Sequence, residues 1–378
     1  MKILFTGGGT GGHFYPIIAV CQAINDKVKE KKLIPPKMYF MSPNKYNARA
    51  LFDNEIEYIQ VPAGKVRRYF SLLNFTDLFK TIYGVFSAII KVYKLYPDVV
   101  FAKGGYTSFP ALFAARFLRI PVIIHESDST PGRVNKWAGK FAQKIAISYP
   151  EAADSFPKQK EMGKVAYTGN PVRKEIILPL SKGANELLNL EEGIPTIFVI
   201  GGSQGSQLIN DVIIDSIGDL ITKYQVIHQT GKNNFDLVKE TVSIVLKDNP
   251  LANRYHPFDY MNDLQIRMAS GASSIVISRA GSTIFEIASW GLPSIVVPLS
   301  KEVSHDQVKN AFAYARSGAC VVVEEHNLSS HILVSEIDRI LSNQNLKNKM
   351  SQGARDFSHN DAALKIAEVI LEIGLKHE

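Results

Sequence analysis

Short runs of β-branched and aromatic residues alternate along this chain with stretches of helical periodicity, the pattern of parallel α/β units. In the first half the runs predict strands at Ile3–Thr6, Lys37–Met41, Tyr58–Val61, Val99–Ala102, Val122–His125, Lys144–Ile147 and Val165–Thr168. In the second half they predict strands at Thr196–Ile200, Gln225–His228, Arg254–Pro257, Ser274–Ser278, Ser294–Pro298 and Ala319–Val323. Gly169-Asn170-Pro171 interrupts the alternation near the middle, and that composition suits an interdomain hinge. At 378 residues the chain exceeds one ordinary core, so two domains are expected.

One helical stretch departs from the usual amphipathic pattern. Between Phe75 and Tyr96 the small or polar positions Lys80, Gly84, Ser87, Lys91 and Lys94 recur at steps of 4, 3, 4 and 3. They draw one narrow polar stripe on an otherwise apolar cylinder, which must bury more than one face, the second against a partner subunit or, as the flanking bases favour, lipid. From Val61 to Pro97 six bases (Lys65, Arg67, Arg68, Lys80, Lys91, Lys94) stand against one acid, Asp77, among bulky apolar residues. Bases interleaved with such residues fit an anionic membrane surface better than nucleic acid. The plainer alternative is a buried helix whose lysines snorkel outward.

Composition narrows the class. With 46% hydrophobic and 21% charged residues the chain is globular rather than disordered. Cys21 and Cys320 belong to no metal or redox spacing and read as buried thiols of a reducing compartment. No apolar stretch precedes the glycine turn at residue 7, and no apolar run approaches the roughly 20 residues of a membrane span, so a cytoplasmic location is expected.

The chemistry concentrates at strand ends. Ile3–Thr6 runs into Gly7-Gly8-Gly9-Thr10-Gly11-Gly12-His13, and Thr196–Ile200 runs into Gly201-Gly202-Ser203-Gln204-Gly205. A glycine turn between strand and helix presents free N–H groups at the positive end of a helix, suited to phosphate. Two such turns in two similar halves imply two phosphate-bearing substrates and a transferase. Gly7, Gly9 and Gly12 also satisfy G-x-G-x-x-G, but the second strand ends Met41-Ser42-Pro43-Asn44 without the acid that holds a dinucleotide's ribose. His13 stands where a Walker loop needs lysine, which excludes that reading. As a neutral imidazole His13 can take a proton from a hydroxyl nucleophile; alternatively it caps the loop by hydrogen bonding.

Lys103-Gly104-Gly105-Tyr106-Thr107-Ser108-Phe109-Pro110 is a further strand-to-helix turn, and His125-Glu126-Ser127-Asp128 closes another strand. In the second half Ser278-Arg279-Ala280-Gly281-Ser282-Thr283 opens a helix with Glu286 in its first turn, where a carboxylate can accept two bonds from ribose hydroxyls. Favourable charge–dipole placement, about 0.3–1 kcal/mol, is the alternative for that glutamate. His305-Asp306-Gln307 and Asn310 form another polar set. No Asp-x-Asp pair occurs, so a metal-chelating nucleotide-sugar site of that type is not expected, and helix ends must stabilise a leaving diphosphate instead; no cofactor is expected.

These motifs, with Gly169-Asn170-Pro171-Val172-Arg173 and Gln307–Asn310, resemble in identity and order those of the MurG family, bacterial glycosyltransferases of peptidoglycan synthesis. The resemblance runs from Lys2 to the C-terminal helix. It implies a GT-B fold of two Rossmann-like parallel-sheet domains facing a cleft. An acceptor and membrane-binding domain over 1–168 would be joined by a C-terminal helix at about 357–378, with a donor domain over 172–355. It implies inverting transfer of GlcNAc from UDP-GlcNAc to the C4 hydroxyl of the muramoyl sugar of lipid I, forming lipid II. It further implies peripheral attachment to the cytoplasmic face of the cell membrane, near cell-wall synthesis and division proteins, with no nucleic-acid partner.

By position, Thr10, Gly11, Gly12, Arg173, Ser203, Gln204, Gly205, Gly281, Ser282, Thr283, Glu286 and Gln307 fall on the donor side, with Phe258 where a backbone group reads the uracil. Gly8, Gly9, Gly104, Gly105, Tyr106 and Thr107 fall on the acceptor side. His13 is the candidate base and Asp128, asparagine in some members of the family, its rival. Another GT-B enzyme, such as a UDP-sugar epimerase or glycolipid synthase, and an NAD(P) enzyme are the alternatives.

Overall fold

The computed structural model describes residues 1–65, 73–202, 205–300, 304 and 306–376. The chain forms two compact units, Met1–Arg173 with His359–Glu378, and Lys174–Ser358.

In the first unit seven strands form one parallel sheet: β1 (Lys2–Thr6), β2 (Lys37–Ser42), β3 (Ile56–Gln60), β4 (Val99–Ala102), β5 (Val122–Glu126), β6 (Lys144–Ile147) and β7 (Val165–Tyr167). Their order is β3-β2-β1-β4-β5-β6-β7. Alternation along β1 sends Ile3 and Phe5 to one face and Leu4 to the other. The Ile3 face is covered by helix Gly11–Glu30 and by the returning helix Ala362–Lys376, whose Ile366, Ile370 and Leu371 complete its core. Leu112 and Ala115 of helix Phe109–Phe117, and Ala88 and Val92 of helix Leu73–Leu95, cover the opposite face.

The second unit repeats the plan with six parallel strands: β8 (Thr196–Ile200), β9 (Gln225–Gln229), β10 (Tyr255–Phe258), β11 (Ser273–Ser278), β12 (Ser294–Val296) and β13 (Cys320–Val322), ordered β10-β9-β8-β11-β12-β13. Both sheets therefore carry the doubly wound 3-2-1-4-5-6 order. That order reverses direction beside β1 in one sheet and beside β8 in the other, the point outside the carboxyl ends where such sheets bind ligands.

Every strand expected from the sequence is present, with ends displaced by at most two residues. Helix Leu73–Leu95 keeps the expected apolar second face but not the simple polar stripe. The stripe of small and polar positions is no simple solvent face. Gly84 is buried, and a β-carbon there would lie 1.9 Å from the Pro62 carbonyl oxygen. Its missing side chain lets the helix lie directly on the chain after β3. The second apolar face is not buried at all: Phe75, Phe79, Tyr83, Phe86, Ile90 and Tyr93 are exposed. The snorkelling alternative, a helix buried in the core, is thereby overturned. Arg67 and Arg68 lie outside the described residues.

Candidate active site

The first glycine turn leaves β1 at its carboxyl end and opens helix Gly11–Glu30 with Thr10 as its extended N-cap residue. Thr10 caps no backbone N–H with its side chain; its hydroxyl meets His13 Nδ1 at 3.1 Å instead. When Nδ1–H donates to Thr10 Oγ1, the Nε2 lone pair is left as the acceptor. Burial, followed by the nearby charge of Lys103, lowers His13 to about 4, so the ring is neutral across the physiological range. The loop-capping alternative for His13 thus has a real hydrogen bond behind it, and the same bond orients the ring.

The second turn leaves β4 and packs against the first. A β-carbon on Gly105 would stand 3.7 Å from the Gly8 carbonyl oxygen, 3.8 Å from Thr107 Oγ1 and 4.0 Å from His13 Cε1. Gly8, Gly105, Thr107 and His13 therefore share one small region. Tyr106 reaches over the first turn, its ring 3.8 Å from where Gly9 would carry a β-carbon. Thr107 Oγ1 is buried without a hydrogen-bond partner among the described residues.

A polar node lies beside these turns, and of its members only Asp128 carries a role expected from the sequence. Lys103, 1% exposed, donates from Nζ to His125 Nδ1 at 2.7 Å, to Asn170 Oδ1 at 2.8 Å and to Ser127 Oγ. His125 Nε2 lies 3.0 Å from the Gly169 carbonyl, which fixes the proton on Nε2 and leaves Nδ1 to accept from the ammonium. Glu126 clamps the following loop, accepting from Asp128 N (2.9 Å), Gly132 N (3.0 Å) and Asn135 Nδ2 (2.9 Å). Burial first, then the Asp128 charge, raises this carboxyl to about 7. Asp128 is thus held by its own backbone to Glu126. Only the position of Lys103 directly before a glycine pair could have flagged it in the sequence. Arg173 closes the first unit, its guanidinium 4.0 Å over the ring of Tyr15.

In the second unit the donor-side candidates gather at the carboxyl ends of β8 to β12. Gly205 has φ +73° and a β-carbon on it would lie 1.9 Å from the Thr230 carbonyl oxygen, so only glycine turns the chain there. Ser206 then caps helix Gln207–Lys223, accepting from Ile209 N at 3.4 Å. Arg279, at the end of β11, donates from Nε to Ser206 Oγ (2.9 Å) and pairs with Glu325 (2.8 Å), fixing the turn after β8 to that after β11. Gly281, Ser282 and Thr283 open helix Thr283–Trp290, with Glu286 half-buried in its first turn. The Phe258 carbonyl already accepts from Thr230 N at 2.9 Å, and Gln307 Oε1 from Leu299 N at 3.1 Å. Ser203, Gln204 and His305 lie outside the described residues.

Comparison with known proteins assigns both units to one family. The Glycosyltransferase family 28 N-terminal domain matches residues 3–147, and the C-terminal domain of the same family matches residues 196–366. A protein of Treponema denticola named UDP-N-acetylglucosamine–N-acetylmuramyl-(pentapeptide) pyrophosphoryl-undecaprenol N-acetylglucosamine transferase is 36% identical, covering 97% of this chain and 96% of its own. The chain belongs to the MurG family. A MurG-family transferase of the same name from Clostridium novyi is 35% identical over 98% of both chains. The solved structure of Acinetobacter baumannii MurG superposes with TM-score 0.71 at 23% identity, covering 98% of this chain and 99% of that one. A putative UDP-N-acetylglucosamine 2-epimerase of Listeria monocytogenes superposes equally well, TM-score 0.72 at 14% identity over 100% and 97% of the two chains. The GT-B fold is therefore common to the MurG family and the epimerases, and sequence identity separates them.

Proposed function

We propose that this protein transfers N-acetylglucosamine from UDP-N-acetylglucosamine to the N-acetylmuramyl sugar of a pyrophosphoryl-undecaprenol acceptor at a membrane surface. It is a hexosyltransferase of peptidoglycan synthesis, the activity its near-full-length relatives are named for. The observation that carries the mechanistic reading is the pairing of the Gly7–Gly12 and Gly104–Gly105 turns around His13. In this reading the acceptor's diphosphate lies on those N–H groups. The acceptor hydroxyl then attacks the donor's anomeric carbon. As the new C–O bond forms, the bond to UDP breaks, the electron pair leaves with the diphosphate, and the hydroxyl proton passes to His13 Nε2. The turns after β8 and β11 receive the departing UDP.

Assay of the pure protein with UDP-GlcNAc and a lipid I analogue tests this. Formation of the disaccharide with release of UDP is expected. Interconversion of free UDP-sugars without acceptor would replace this reading by epimerase chemistry.

Attachment to the cytoplasmic face of the cell membrane is supported by helix Leu73–Leu95. No helix among the described residues is long and apolar enough to cross a membrane. Yet Phe79, Tyr83 and Phe86 are 57%, 67% and 64% exposed, with Lys80 and Lys94 on the same helix. Aromatic rings beside lysines match the interface of an anionic bilayer. The protein is expected to co-sediment with anionic vesicles and to detach as salt rises, each base contributing about 1 kcal/mol near the surface. Phe79→Ser with Phe86→Ser should abolish sedimentation while leaving UDP binding intact. Equal binding to neutral vesicles would remove the electrostatic part of this picture.

A further inference from the structure

Lys103 is a puzzle in electrostatic terms. It is one of the largest fully buried side chains of the protein, yet its three hydrogen-bond partners, His125 Nδ1, Ser127 Oγ and Asn170 Oδ1, are all neutral. Among the described residues it forms no ion pair. An ammonium has three donors, so this one has none left for a ligand. Glu126 and Asp128 attract it only across space, without contact, and a buried ammonium held by neutral partners alone is costly unless further charge of opposite sign completes it. The backbone of Lys103 is tied to Thr6 (N–H to carbonyl, 2.9 Å), and its β-carbon lies 2.9 Å from where Gly7 would carry one. It therefore connects the starts of both glycine turns. Independently, two buried atoms at the second turn have no hydrogen-bond partner among the described residues: Thr107 Oγ1 (residue 5% exposed) and Asn135 Oδ1 (3% exposed). The Asn135 side chain lies flat under Gly104.

We propose that Lys103 is the buried cation that the acceptor's diphosphate completes, a positioning residue that acts by its charge and through His125 and Asn170 without touching the substrate. The proposal rests on the acceptor occupying the first unit. The ligand chemistry is a dianionic diphosphate at the Gly104–Gly105 turn, with Thr107 Oγ1 as a neutral donor to it. Burial lowers the ammonium to about 7 against the opposing pull of Glu126 and Asp128, so the free protein loses this charge as pH rises through neutrality. The titratable groups facing it are His13 from helix Gly11–Glu30 and His125, Glu126 and Asp128 at the end of β5. Of these, Glu126 also titrates near 7, with the same sign of effect on an anion.

The test is steady-state kinetics of Lys103→Met and Lys103→Gln with two acceptor analogues, one diphosphate-linked and one monophosphate-linked, from pH 6 to 9. With the diphosphate acceptor the parent's acceptor KM should rise as pH passes about 7. In the variants it should be raised by about 10- to 100-fold at pH 6.5, the scale of one unit charge at an effective dielectric near 20. The rise with pH should shrink, and the penalty should be several-fold smaller with the monophosphate acceptor. UDP-GlcNAc KM and the melting temperature of Lys103→Gln should stay near the parent's. An equal penalty with both acceptors would overturn the proposal in favour of a loop-holding role, and a full parental pH dependence in both variants would assign the titration to Glu126. A rise in donor KM with the acceptor's unchanged would instead count against the placement of the acceptor in the first unit.

Discussion

His13→Ala is expected to lower turnover by about 10²–10⁴ while donor affinity barely changes, the usual range for loss of a general base. The residue's environment adds a second readout. Its pKa is lowered, so the neutral, proton-accepting form is the one present above about 4 and is lost only as pH falls through that value. The acidic limb of kcat/KM should therefore lie well below the ordinary histidine range, with activity nearly level from pH 5 to 6.5 as far as His13 is concerned. A base with so low a pKa is weak in the free protein. An anionic acceptor bound at the glycine turns, as proposed above, would raise its basicity, so the stronger base would exist in the substrate complex. Near-normal turnover of the His13→Ala variant would transfer the role to Asp128, whose backbone Glu126 already holds in place.

Glu286→Ala should weaken UDP binding by about 10- to 150-fold with the fold intact. Losing a charged hydrogen-bonding partner of the ribose hydroxyls costs roughly 1.5–3 kcal/mol, and the affinity follows. The carboxylate sits in the first turn of helix Thr283–Trp290, half-buried, beside Gly281 and Ser282. Calorimetry with UDP and with 2′,3′-dideoxy-UDP on both proteins separates the ribose contact from helix stabilisation. The dideoxy ligand should bind the parent weakly and be little affected by the substitution. A variant that still prefers UDP as strongly as the parent does would remove Glu286 from the ribose.

The strand skeleton was legible because buried parallel strands must be short, apolar and β-branched, and because glycine turns announce their carboxyl ends. The same logic singles out His13, Gly104–Gly105 and Gly205 as candidates from the sequence alone. It did not give Lys103 a role. A lysine beside a strand end ordinarily reads as a solvated charge, and only the fold brings His125, Ser127 and Asn170 around its ammonium. Asn135 went unnoticed for a similar reason: it lies in a short helix with no motif around it and matters only because it fits under Gly104. For helix Leu73–Leu95 the periodicity marks the stripe but not the close packing at Gly84. Periodicity reports which positions share a face, whereas the burial of Gly84 depends on a backbone carbonyl from elsewhere in the chain.

The returning helix Ala362–Lys376 has a consequence for how the protein comes into being. The first unit needs Ile366, Ile370 and Leu371 to finish the core around Ile17 and Ile24, and those residues follow the whole second unit in the chain. On a ribosome the second unit, Lys174–Ser358, emerges as an uninterrupted segment and can fold while its predecessor still lacks a wall. For that interval an apolar groove along helix Gly11–Glu30 stays open to water and to chaperones. A fragment ending at Arg173 would keep that groove open for good, and should be captured by holdases or aggregate where the full-length chain does not.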